Sequence, residues 1–123
     1  MLEKSHFTNA IKQNIEMVKG DTLMFNFQLV GVGNQDLRNI RFTVKDHYDN
    51  DEVLFKCDLD DHISLVDYDK ETDTRTYCVR VAPTKTETIS IGRYYYDLEL
   101  DIEDDIYTLM RGYLDITWEV TRR

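Results

Sequence analysis

The sequence predicts an all-β fold, an antiparallel β-sandwich of about seven to nine strands with at most one short helix. Two observations carry this. Apolar and polar residues alternate at period two through most of the chain, the pattern of strands with one buried and one wet face. Clusters of turn residues interrupt that alternation at short, regular intervals. A single proline and five glycines argue against linker-like composition, and 123 residues suit one core rather than two.

Residues 1–12 are expected to form a mobile N-terminal arm, and residues 13–123 a single domain. Ile15 and Met17 mark a first strand over about 13–18. Leu23, Phe25, Phe27 and Leu29 alternate with Met24, Asn26, Gln28 and Val30, and Ile40, Phe42 and Val44 with Arg41, Thr43 and Lys45. Shorter strands are expected at about 53–57 and 63–68. Tyr77, Val79 and Val81 then alternate with Cys78 and Arg80. The cleanest alternation sets Tyr94, Tyr96, Leu98 and Leu100 against Tyr95, Asp97, Glu99 and Asp101.

In the last strand Met110, Leu114, Ile116, Trp118 and Val120 share the apolar side, which predicts Trp118 as a core anchor. Trp118, Phe25, Phe27, Phe42, Tyr96 and Leu98 form the predicted core. Turns fall at 19–21, 31–34, 48–51, 70–74 and 103–105. Pro83 starts the one tempting helix, Thr84 to Ile89, placed to cross between sheets. Gly112 interrupts a strand, where glycine usually marks a bulge or a close backbone approach, and a bulge or sharp bend is the prediction here.

A formal charge of −9 and a pI near 4.7 oppose nucleic acid and anionic membrane surfaces, so neither is an expected partner. The N-terminus has no basic stretch followed by an apolar run, and no apolar run is long enough to span a bilayer. The expectation is a product made and kept in the cytoplasm. Cys57 and Cys78 form no CxxC and are expected as free thiols.

No catalytic, cofactor or metal site is predicted. The bases suited to activate a nucleophile are His6, His47 and His62, and none lies in a nucleophile motif; Cys57, five residues before His62, reads as an inert strand cysteine. Asp67, Asp69, Glu71 and Asp73 open like an EF-hand loop. The match fails at the sixth position, Thr72 instead of glycine, and at the twelfth, Cys78 instead of an acid. The acidic runs 49–52, 58–61 and 103–105 could hold Ca²⁺ only if two turns converged, and read otherwise as turn chemistry. Gly31-Val32-Gly33 lacks the third glycine of a phosphate loop.

Outward positions nevertheless include Met24, Val30, Tyr95 and Tyr113, apolar or amphipathic groups where a fully solvated sheet favours charge. These four residues are the candidate interface, and they predict a homo-oligomer or a subunit of a symmetric particle.

The run from Gly92 through Arg93-Tyr94-Tyr95-Tyr96-Asp97-Leu98-Glu99-Leu100, an acidic turn, then Tyr107 to Ile116 and Val120-Thr121 resembles the closing hairpin of Ig-like domains in bacteriophage virion proteins. Val18-Lys19-Gly20-Asp21-Thr22 followed by Phe25, Phe27 and Leu29 extends the likeness. These domains include the N-terminal module of the phage baseplate upper protein family, and the likeness covers about residues 13–122. It implies an Ig-like sandwich; glycine before an alternating tyrosine strand recurs in many β-sandwiches, where a tyrosine can tie one sheet corner to the backbone. The implied role is a non-enzymatic structural module of tail, baseplate or head that docks on other virion structural proteins, found in the virion or in host cytoplasm before assembly. The baseplate family carries a coiled coil and a receptor-binding portion beyond this module; neither is expected here after the last strand, so an adhesin-bearing role is not expected. The alternative is an acidic-loop, Ca²⁺-dependent module binding carbohydrate or protein.

Overall fold

The computed structural model describes residues 10–47, 49 and 51–118. Residues 1–9 of the expected arm, His6 among them, lie outside the described residues, as do Tyr48 and Asn50 of one turn and the end of the last strand with Val120.

Among the described residues the chain forms nine strands and one helical turn: β1 (Ile11–Lys12), β2 (Ile15–Val18), β3 (Leu23–Val30), β4 (Leu37–Lys45), β5 (Val53–Leu59), β6 (His62–Asp69), β7 (Thr74–Val81), α1 (Pro83–Thr86), β8 (Gly92–Ile102) and β9 (Asp105–Thr117). Hydrogen bonds follow one path, β1-β9-β8-β4-β5-β6-β7-β3, with β2 also on β9. The path folds over at β5 and β6, which share two parallel pairs, Asp58 with His62 and Leu59 with Ile63. A larger layer, β1/β2-β9-β8-β4-β5, therefore stacks on a smaller one, β6-β7-β3. Phe25 of β3 meets Phe42 of β4 edge-on at 5.5 Å although their strands are far apart along the path. The architecture is an all-β, Ig-like sandwich. Its long ladders are antiparallel, while β1 and β2 run parallel to β9 because the chain enters beside its own last strand.

The core follows the alternation. Phe42, Tyr96 and Leu98 are buried, together with Ile40, Val79, Leu100, Leu114 and Ile116. Phe25 and Phe27 are half-buried against this cluster, because β3 ends the smaller layer and has a strand on one side only. Trp118 corrects the expectation of a core anchor: it is 76% exposed. It keeps the parity of Leu114 and Ile116, but β9 pairs with β8 no further than Ile116 and with β2 no further than Thr117. Parity thus points Trp118 toward a core that has already ended.

The predicted helix shrinks to α1, with Pro83 in its first turn. Past this crossing the Tyr94 hydroxyl donates to the Ser90 carbonyl at 2.7 Å, a tie between a tyrosine and the backbone of the kind found at sheet corners in β-sandwiches.

Gly112 corrects a second expectation. The bulge in β9 falls at Leu109, the residue skipped between the pairs Leu98–Met110 and Glu99–Thr108, whereas Gly112 stays in register with Tyr96. The glycine answers instead to a close approach. A Cβ there would overlap the Gln13 carbonyl oxygen and lie 2.9 Å from its carbon. Gln13 and Asn14 cross this point between β1 and β2, held by Gln13 N–H on the Arg111 carbonyl and by Tyr113 N–H on the Asn14 side chain, each at 3.0 Å.

Candidate docking surface

On β8 the pleat sends Tyr94 and Tyr96 into the core and Tyr95 outward, onto the outer face of the larger layer. Tyr113 is its cross-strand partner on β9, and the rings meet edge-on with centroids 5.3 Å apart. The His47 ring lies 5.3 Å from Tyr95 on the other side. Arg93, two residues before Tyr95 and so on the same face, sits 4.3 Å over the Tyr113 ring and grips Asp115 with two hydrogen bonds of 2.9 and 3.1 Å. That hydrogen bond lowers the Asp115 carboxyl and raises the guanidinium. The result is an aromatic and cationic platform at one end of the face, built of residue types that dominate binding hot spots.

The other end of the same face is acidic. Arg41 of β4 lies 3.0 Å from Glu99, 2.8 Å from Asp101 and 3.8 Å from Asp58, so three carboxylates surround one guanidinium. Burial acts to lower Arg41, but Asp101 and Glu99 outweigh it and its pKa rises. The Asn39 amide joins the group, donating to Asp58 and accepting the Leu59 N–H. Between the two ends, burial pushes the Asp97 carboxyl up. Ile106, paired with Asp101, stands exposed at the acidic end.

The structure brings two of the four candidate interface residues together and leaves two apart. Tyr95 and Tyr113 form the platform. Met24 and Val30 are exposed, at 57% and 46%, but they project from β3 on the outer face of the smaller layer, six residues apart, with Asn26 and Gln28 between them. They make no continuous patch. Arg93 and His47, read in the sequence only as part of the hairpin motif and as a candidate base, were not expected on this surface; the i+2 spacing of Arg93 and Tyr95 was the available signal for the first.

The acidic turns serve local geometry. Asp60 and Asp73 adopt left-handed conformations that aspartate tolerates better than most residues, and Glu103 does the same in the β8–β9 turn. Asp69 accepts the Glu71 N–H at 3.0 Å, and Asp73 accepts the Gly33 N–H at 2.8 Å. Among the described residues no three His, Cys, Asp or Glu side chains gather closely enough to hold a metal ion. Cys57 and Cys78 are free thiols. Cys57 faces the core, where burial pushes its thiol up to about 11, and the His62 Nδ1 lies 2.8 Å from Asp61. No helix of the described residues is long and apolar enough to cross a membrane.

No protein-family model and no curated protein matches the sequence. Among solved structures, a family 123 glycoside hydrolase from Clostridium perfringens is similar with a TM-score of 0.56 and 11% identity, over 93% of this chain and 24% of that one. This chain thus spans about a quarter of the hydrolase, and the likeness shows the fold alone. Voltage-gated sodium channel β subunits, described in cell-adhesive interactions, give a TM-score of 0.41 at 11% identity, over 88% of this chain and 93% of theirs. The extracellular domain of the β4 subunit, described as a parallel homodimer, gives 0.41 at 12%, over 92% and 97%. Scores at that level carry no argument here, and none of the three is a phage protein.

Proposed function

We propose that this chain is a non-enzymatic docking module of a phage virion, in tail, baseplate or head, that binds neighbouring virion subunits through the outer face of its larger layer. The observation that carries the docking role is the Tyr95–Tyr113–Arg93 platform, where two rings and a guanidinium hold one another in place before any partner arrives. Such preorganisation lowers the entropic cost of association. The virion setting rests on the resemblance of Gly92–Thr121 to the closing hairpin of phage Ig-like domains. Cys57, buried with its thiol pushed up to about 11, is a poor candidate nucleophile.

Pull-down of virion proteins from a phage lysate on immobilised chain tests the face. The wild type retains a virion subunit, and Tyr113→Ala releases it while circular dichroism stays unchanged. Retention unaffected by Tyr95→Ala and Tyr113→Ala together contradicts the assignment.

A further inference from the structure

The outer face of the larger layer is polarised along its strands, and its two ends complement each other. At one end stand the Tyr95 and Tyr113 rings with Lys45 paired to Tyr95, and next along β9 toward the middle comes Arg111, opposite Asp97, so that two cations flank one carboxylate. At the other stand the Arg41 group, with more carboxylates than cations, and the exposed Ile106. Tyr113 and Ile106 lie on one strand with the Leu109 bulge between them, and their β8 partners Tyr95 and Asp101 are six residues apart, which is about 20 Å, too far to meet within one molecule.

We propose that the occupant of this face is a second copy of the chain, related by a two-fold axis that reverses the strand direction. The operation lays Ile106 of each copy on the Tyr95–Tyr113 rings of the other. It brings Arg111 and Lys45 over the carboxylates around Arg41, twice, as an isologous contact requires. Opposite charges then offset the repulsion expected between two molecules of formal charge −9. The proposal rests on the reading of this face as a docking surface and names its partner.

Sedimentation equilibrium of the full chain tests it. The wild type dimerises with rising concentration, and added salt weakens the dimer. Ile106→Asp weakens it by about tenfold or more, whereas Met24→Lys on the opposite layer leaves it unchanged. In a Cys78→Ser background, Tyr113→Cys with Ile106→Cys yields an oxidised covalent dimer, and neither single variant does, because a disulfide needs its Cβ atoms about 4 Å apart. A chain that stays monomeric at every concentration overturns the proposal, as does a dimer that Met24→Lys breaks and Ile106→Asp does not. A monomer found in purified virions refutes self-pairing alone; the predicted dimer from a chain absent from virions refutes only the virion setting.

Discussion

The Tyr96 hydroxyl donates to the carbonyl oxygen of Gln13, reaching the N-terminal segment where that segment passes over Gly112. This bond joins those of Gln13 to Arg111 and of Tyr113 to Asn14 in fastening the crossing from β1 to β2 onto the last hairpin, and the glycine beneath leaves room for it. Gly112→Ala places a methyl group against the Gln13 backbone and should cost about 1–3 kcal/mol, the range for overpacking. Tyr96→Phe removes the bond and should cost about 0.5–1.5 kcal/mol, the net worth of a hydrogen bond whose acceptor, on an exposed residue, can turn to water. Urea melts of both variants check this; a neutral Gly112→Ala contradicts the close approach.

Phe42 and Trp118 should respond in opposite ways to truncation. Phe42 is fully buried and touches Phe25, Phe55 and Tyr96, so Phe42→Ala should cost about 3–5 kcal/mol. Trp118→Ala should stay within about 0.5 kcal/mol, as expected for an exposed side chain. Thermal denaturation separates them.

Stability should fall at alkaline pH in a window set by two buried acids. Burial pushes Cys57 from 9.0 up to about 11 and Tyr96 from 10.0 up to about 12. Each group holds its proton more tightly folded than unfolded, so above the unfolded value the unfolded state loses protons first and is favoured. The contribution of these two groups is fully present below about pH 9.0 and declines between there and about 12. Cys57→Ala should flatten the lower part of this decline and Tyr96→Phe the upper part, as read by denaturation across pH.

Arg41 should matter more than a surface cation, because it separates three carboxylates while only 27% of its side chain is exposed. Arg41→Leu should cost about 1–3 kcal/mol, below the figure for a fully buried ion pair. Adding Glu99→Gln and Asp101→Asn should recover part of the loss, and additive losses would show that no repulsion is released.

Period two in the sequence decided which face each residue takes: it separated Tyr95 from Tyr94 and Tyr96, and placed Phe42 and Leu98 inside. It could not decide which layer a strand joins. Met24 and Tyr95 therefore both read as outward, although they point away from opposite sides of the sandwich. Nor does parity tell where partner strands stop, which is why Trp118 kept the right phase and lost its core. Gly112 was legible as an anomaly, but its cause is a segment nearly a hundred residues earlier, and no local pattern encodes that contact.

The most direct test of the virion docking role is quantitative mass spectrometry of purified particles from a phage lysate containing the chain. The account predicts its peptides in the particles at a copy number in fixed ratio to another structural subunit, with Tyr113→Ala lowering that number. Peptides abundant in the lysate and absent from the particles would contradict it.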